Sequence, residues 1–542
     1  MSKEKNRKIF SVFVGFITYL HIFGINFLFS KTSFFFTEDH PMFLAGYLSF
    51  INDSWKFPLT VTNNIFLGSG ISIIFMDSIP LFSILLKSIY SLFGYKIFNP
   101  FPLWYLICYV LFAYFAGKIL NLKIKNNFIF VASLLMLINT PLMINRMVWH
   151  SALSAHWIIL SSIYFYLINK KNDFESLNIF AFVCGLSIFI HIYIFTMITS
   201  IYLLTLVLAF LQKKLKEIFY SLIVFVLILI FYFFIFFTTG DGFLLITKDF
   251  FKYGTEFNSF FCSEFPVNII NEILRCYKPY TTFGIEGYSY LGLGYIFLGF
   301  LLIFIPFKVY LSVKSHFLIT FCLFLLTLFS FGNKWKLAHY QFYEFQPLFL
   351  HTKLLELFRA TGRFIWPVYY FLLVFLIFKF SSLNNKYLSI LIMVISLSLQ
   401  LYDMDNIYES KSSLFKVDIP TNQQAALARN IYFQSPDEIL YLLPDERCAW
   451  GEIDHYIVAL YYLDKGGKIQ SSRTARLRIN TDICKEYSVE KDIKNNNPYH
   501  FLINDIELIQ DSEVKNNYNC ILVESFVESN RKPTYCTKHS SK

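Results

Sequence analysis

Two acids and an imidazole arrive together at Glu38-Asp39-His40-Pro41, shortly after an apolar run from Phe10 to Ser30. A carboxylate in a partly dry setting serves as general base towards a hydroxyl when a nearby cation or metal keeps it ionised. Two acids alone fit the plain end of a transmembrane helix just as well, so the surroundings have to decide between these readings. A second polar group lies in Arg146-Met-Val-Trp149-His150-Ser-Ala-Leu-Ser-Ala-His156-Trp157. On a helix His150 and His156 would project about 120° apart, which argues against one shared metal and suits opposite sides of a sugar or phosphate cavity. An interfacial belt of Trp and His is the alternative.

Arg359 and Arg363 are spaced for one face of a helix. Paired guanidinium groups suit a phosphate or diphosphate, and Lys353 adds charge nearby; arginines snorkelling to a membrane rim would share the spacing. Glu286-Gly287-Tyr288-Ser289-Tyr290-Leu291-Gly292-Leu293-Gly294 puts an acid and Tyr288 at the mouth of an apolar span. Its glycines also fit close helix packing.

The elements that must position these groups are membrane helices. The chain has 542 residues, 56% hydrophobic and 15% charged, with mean hydropathy +0.50. Soluble domains carry roughly a quarter charged residues. Of its 47 basic and 37 acidic residues, 38 fall in residues 401–542, which predicts a membrane part followed by a water-soluble one. The net charge of +10 sits in short clusters between apolar runs, a pattern of membrane topology and not of a nucleic-acid partner. The first apolar run is longer than a signal-peptide core and reads as a retained anchor.

Apolar runs near 10–30, 101–120, 128–145, 157–169, 177–192, 193–211, 218–238, 290–307, 316–332, 364–380 and 387–402 predict about eleven spans. The pair flanking His191 could also be one long helix. Basic residues fall between every second pair, at Lys118/Lys123/Lys125, Lys170/Lys171, Lys213/Lys214/Lys216, Lys308/Lys314 and Lys379/Lys386. With the basic start of the chain they place the N-terminus in the cytoplasm and the C-terminal part outside. The expected organisation is a transmembrane module, 1–402, with outer loops 31–100, 239–290 and 333–363, and an extracytoplasmic α/β domain, 403–542. Within the first loop, Asp77 and Pro80 interrupt the apolar stretch, so helices lying along the membrane surface are expected there. Six of the nine cysteines fall outside: Cys262 and Cys276 in one loop, Cys448, Cys484, Cys520 and Cys536 in the terminal domain. Even numbers in both places suit disulfides in an oxidising compartment. No phosphate-cradling glycine loop is present, which removes support for cytoplasmic nucleotide chemistry.

Several ordered motifs together carry a resemblance. They are Glu38-Asp39-His40-Pro41, Ser54-Trp55-Lys56-Phe57-Pro58, Gly70-Ile71-Ser72, Asp77-Ser78-Ile79-Pro80-Leu81, His150 to Trp157, Glu286 to Gly294 and Arg359-Ala-Thr-Gly-Arg363-Phe-Ile-Trp366-Pro367. Over roughly residues 10–405 the chain resembles a family of bacterial integral-membrane proteins that looks like part of the GT-C superfamily of membrane glycosyltransferases. The resemblance implies an α-helical polytopic fold, an outer loop bearing surface helices, and a catalytic acid near that loop's start, onto which Asp39 maps together with Glu38. It implies inverting transfer of a sugar from a polyprenyl-phosphate donor. Members differ in metal dependence, so a divalent ion such as Mg or Mn is compatible. The acidic pair here is Glu-Asp, not Asp-x-Asp, and no ligand set defines a metal site.

The expectation is then an inner-membrane glycosyltransferase working in the lipid bilayer with an outward-facing site. Asp39 deprotonates the acceptor and Glu38 or His40 orients it. Arg359, Arg363 and Lys353 take the donor phosphate, and His150, His156, Glu286 and Tyr288 line the sugar or acceptor cavity. The acceptor would be a cell-surface glycan or its lipid-linked precursor, as in O-antigen or lipopolysaccharide modification. A flippase of lipid-linked sugars, or a polysaccharide polymerase or ligase, is the alternative.

Overall fold

The computed structural model describes residues 3–30, 39–65, 70–171, 173–237, 253–263, 285–304, 313–337, 340–345, 358–415, 439–443, 453–470, 472, 488–503, 506–522 and 534–539. Each apolar run of the sequence contains helix: α1 (Lys3–Phe23), α4 (Phe101–Asn121), α5 (Asn127–Ile138) with α6 (Pro141–Trp149), α7 (Trp157–Lys171), α8 (Leu177–Leu186), α9 (Ile192–Leu211), α10 (Leu215–Phe237), α11 (Leu293–Phe304), α12 (Val313–Ser330), α13 (Trp366–Ser381) and α14 (Lys386–Phe415). The labels α2 and α3 belong to two helices between α1 and α4, His40–Asn52 and Pro80–Phe93.

Among the described residues, seven segments are long and apolar enough to cross a bilayer: Phe101–Asn121, Asn127–Met147, Ala152–Lys171, Ile192–Leu211, Leu215–Ile235, Thr361–Ser381 and Lys386–Glu409. The chain is a multi-pass membrane protein: of the eleven expected runs, seven lie in described segments that meet this measure of length and hydropathy. The first helix opens on the charged residues Lys3, Glu4, Lys5, Arg7 and Lys8, and Leu177–Phe189, Leu293–Phe304 and Phe317–Ser330 are shorter apolar helices. The stretch around His191 is not one long helix, because His191 is extended (φ −163°, ψ 133°) between α8 and α9.

The helix α4 defines the two ends of the bundle. Its 21 residues span about 31 Å, close to the thickness of a hydrocarbon core. At the Asn121 end, Arg7 is buried and donates to Asn121 Oδ1, Asn127 Oδ1 and the carbonyls of Ile124 and Lys125. At the Phe101 end, Tyr105 meets His40 and Ser151. The basic cluster and the candidate chemistry therefore lie at opposite ends.

On the candidate-site end, Pro41 starts α2 and Pro80 starts α3, positions where a missing N–H costs nothing. One face of α3 is buried (Phe82, Ser83, Leu86, Lys87) while Leu81, Leu85, Leu92 and Phe93 are exposed, as a helix lying in an interface requires. The carboxy-terminal region forms a five-stranded mixed sheet from β1 (Ile439–Leu443), β2 (Lys468–Ile469), β3 (His500–Ile503), β4 (Tyr518–Leu522) and β5 (Thr534–Lys538), in the order β2-β1-β3-β5-β4. A disulfide joins Cys520 to Cys536 across β4 and β5, and Cys262 is also disulfide-bonded; Cys276, Cys448 and Cys484 lie outside the described residues. This sheet is docked on the segment between α1 and α4. The helix Ile453–Asp464 packs along α2, Asn52 donates to the Leu463 carbonyl, Lys96 pairs with Asp464 at 2.8 Å, and Ile469 N–H bonds Asn64 O.

Candidate active site

Glu286 is the centre around which the polar residues gather. Its Oε2 accepts from Arg146 Nη1 (2.8 Å) and Arg363 Nε (2.9 Å), and its Oε1 accepts from Arg363 Nη2 (2.9 Å). Arg146 and Arg363 are both buried. Arg146 is braced further by Asn145, whose Oδ1 accepts from its Nε and Nη2 at 3.0 and 2.7 Å, and Arg363 lies over the Tyr193 ring at 4.6 Å. Burial alone would raise the Glu286 carboxyl, but the Arg363 and Arg146 guanidinium groups outweigh it and hold the acid well below the usual carboxylate range. Glu286 therefore stays ionised and fixes two guanidinium groups in place.

His150 connects this cluster to the acid at the helix start. Its Nε2 is 3.3 Å from Arg363 Nη2 and 3.4 Å from Glu286 Oε1, and its Nδ1 is 3.7 Å from Asp39 Oδ2. A guanidinium can only donate, so a neutral imidazole accepts from Arg363 on Nε2 and turns Nδ1–H to Asp39. Asp39 is the N-cap residue of α2, yet its side chain makes no cap hydrogen bond. Its carboxylate, about one-third exposed, is directed to His150 instead.

Close backbone packing brings Glu286 and Arg363 together. Segments at Gly254, Gly287 and Gly362 meet with no room for a side chain: a Cβ on Gly362 would stand 2.8 Å from the Gly254 carbonyl and from Gly287 Cα. The Gly362 N–H donates to Tyr253 O, and Thr255 Oγ1 donates to Gly362 O. The strip after Glu286 is locked by α14, where Asp403 accepts from Tyr290 OH and Leu293 N–H, and Gln400 Oε1 accepts from Gly294 N–H. Gly292 has φ +89°, and a Cβ on Gly294 would collide with Ser396 O at 2.2 Å.

The other expected site residues fall in different places. His40 is buried against Tyr105, Phe43 and Phe101, and burial pushes its pKa down to about 3. It is a neutral anchor under the start of α2. His156 is fully buried, 2.7 Å from Tyr370 OH and stacked on Trp366. Arg359 and Arg363 do not share a helix face, because residues 361–365 form a 3-10 turn with Arg359 ahead of it, exposed over Tyr253. The real partner of Arg363 is Arg146, which the sequence motif contained but spacing could not select. Tyr288 is buried beside the glycine contact. Glu38 and Lys353 lie outside the described residues. Among the described residues, no group of three His, Cys, Asp or Glu side chains is placed to hold a metal ion.

These features define a multi-pass helical membrane protein with an acid–imidazole pair set against a two-arginine clamp at one end of its bundle. The chain belongs to the family described as Domain of unknown function (DUF6311), whose model matches residues 12–405. Among solved structures it is similar to the arabinofuranosyltransferase AftD from mycobacteria, seen by single-particle cryo-EM, with a TM-score of 0.51 at 9% identity. The similarity covers 100% of this chain and 40% of AftD. The chain thus spans two-fifths of that protein's length, and the likeness is one of fold. No curated protein sequence matches the chain significantly.

Proposed function

We propose that the protein is a membrane glycosyltransferase that moves a sugar from a polyprenyl-phosphate carrier to a surface glycan or its lipid-linked precursor. The observation that carries this reading is the Arg146–Glu286–Arg363 cluster beside Asp39–His150. Two guanidinium groups held by one carboxylate present planar, multiple donors, which suit the oxygens of a phosphodiester. Among the described residues nothing accepts the Nη1 hydrogens of Arg363, which is 5% exposed. The fold likeness to an arabinofuranosyltransferase supports the same reading.

In this mechanism the acceptor hydroxyl attacks the anomeric carbon and Asp39 takes its proton. The bond from that carbon to the phosphate oxygen breaks, and polyprenyl phosphate leaves with one more negative charge. Arg363 and Arg146 meet that charge as it develops, the contribution expected of preorganised donors. Direct displacement inverts the anomeric centre. His150, between Arg363 and Asp39, orients the base. Glu38 completes the acidic pair.

The site is assigned to the outer face of the bacterial inner membrane, with the N-terminus in the cytoplasm and residues 403–542 as an extracytoplasmic domain. Support comes from Arg7, Lys118, Lys123 and Lys125 at the far end of α4. O-antigen or lipopolysaccharide is the proposed destination of the sugar. The test compares surface-glycan composition in cells with the wild-type protein, without it, and with Asp39→Asn. The variant should lose transfer at least a hundredfold while purifying as a folded protein. Wild-type glycans in the Asp39→Asn cells would sink the assignment.

A further inference from the structure

A second acid–imidazole pair faces the arginine clamp from another side, and the reaction just described does not use it. Asp77 ends the 3-10 turn Ile73–Met76, and its Oδ1 lies 3.9 Å from His191 Nε2. His191 Nδ1 accepts from the Tyr193 N–H at 3.1 Å, so a neutral ring carries its proton on Nε2, towards Asp77. Two residues on from His191, Tyr193 is the ring over which Arg363 stacks, and the charge of Asp77 acts on Arg363. Asp77, His191, Tyr193 and Arg363 thus form a continuous wall.

The backbone is held in an unfavourable shape to put Asp77 there. Asp77 has φ 49° and Ile79 has φ 50°; left-handed backbone is rare for a β-branched residue and persists only where its surroundings enforce it. The enforcement is visible. Ser78 Oγ donates to the Phe43 carbonyl, and Ser83 Oγ to Ser78 O. Gly46 lets the turn touch α2, since a Cβ there would stand 2.3 Å from Ser78 Oγ. The helix that presents Asp39 at its start therefore also seats the turn that presents Asp77.

An ionised carboxylate only accepts hydrogen bonds, so it repels a phosphate and attracts hydroxyl groups. We infer that Asp77, oriented by His191, is the residue that grips the hydroxyl groups of the sugar being transferred, while Arg363 holds the phosphate attached to that sugar. This rests on the glycosyl-transfer reading above and adds the residue that selects the sugar. Asp77 takes no part in bond making or breaking.

The test measures binding of two probes to the purified full-length protein: undecaprenyl phosphate, which has no sugar, and the polyprenyl-phosphoryl-sugar fraction extracted from the membranes of the source cells. Asn adopts left-handed backbone readily, so Asp77→Asn preserves the turn, and an unchanged thermal midpoint confirms it. Asp77→Asn should bind undecaprenyl phosphate like the wild type and bind the sugar-bearing fraction at least tenfold more weakly. His191→Asn, which retains an acceptor for Tyr193 N–H, should weaken the same probe by a smaller factor. Loss of both probes, or of neither, in Asp77→Asn overturns the inference. In parallel, Arg363→Gln should lose undecaprenyl phosphate; if it keeps full binding, the lipid-phosphate reading itself fails, and the role of Asp77 fails with it.

Discussion

At the scale of single residues, burial separates the histidines and acids by role. Glu286 is hydrogen-bonded by both arginines, so it is a fixed counter-charge and no base. Removing one member of such a buried set costs several kcal/mol because the remaining charges lose their partner. Asp39 and Asp77 are partly exposed, and each has an imidazole near its carboxylate. His40 shows what burial does without a counter-charge, its pKa being pushed down to about 3. An unfolded chain would protonate it near its ordinary value of about 6.5, so between those two pH values the unfolded state binds the extra proton and stability falls as pH falls. From pH 6.5 to pH 5 the loss from His40 alone is about 2 kcal/mol. Denaturant titrations of the protein in detergent micelles should show this decline, and His40→Gln should flatten it by that amount. An identical slope in both proteins would refute the buried neutral state of His40.

Glycine contacts decide how the elements meet. Three segments far apart in the chain converge at Gly254, Gly287 and Gly362, and this contact aims Glu286 and Arg363 at one another. A methyl group at Gly362 must displace backbone, not a flexible side chain tip. Gly362→Ala is therefore expected to destabilise the protein by about 1–3 kcal/mol, in the range of overpacked interiors, and to reduce transfer with it. Thermal unfolding together with the surface-glycan assay would check both; a variant with unchanged stability and unchanged glycans would show that the approach is looser than the geometry requires. On α3, buried Phe82 and Leu86 face the protein while Leu81, Leu85, Leu92 and Phe93 face outward, so the same helix backs the site and beds into the interface.

For the whole molecule, the two ends of α4 carry opposite chemistry, with the Arg7 clamp at one and the acids and arginines at the other. The five-stranded sheet sits on the latter end through Asn52, Asn64 and Lys96. Cysteines introduced at Lys125 and Lys515, both exposed, should accordingly be labelled from opposite sides. In intact cells with a permeabilised outer membrane, an impermeant maleimide should react with Lys515→Cys and with Lys125→Cys only after lysis, above the background of the native cysteines. The reverse pattern would invert the proposed orientation.

What the amino-acid sequence determined by itself is whatever depends on local composition. Runs of apolar residues became helices because length and hydropathy are properties of a short segment. Pro41 and Pro80 marked helix starts, and Asp77 with Pro80 marked the break in the first outer loop. Asp39, His150, Glu286 and Arg363 were each legible as polar residues at span ends, and they do come together. Their pairing was not legible. The i,i+4 spacing of Arg359 and Arg363 suggested a helical pair, but a 3-10 turn separates their directions, and Arg146 takes the second place from a distant segment. His150 and His156 looked alike in one motif, yet one reaches the site and the other fills the core beside Trp366. Asp77 and His191 lie far apart in sequence and meet only through a strained turn seated on Gly46. Which charge finds which partner is set by three-dimensional packing of remote backbones, and no spacing within one segment encodes it.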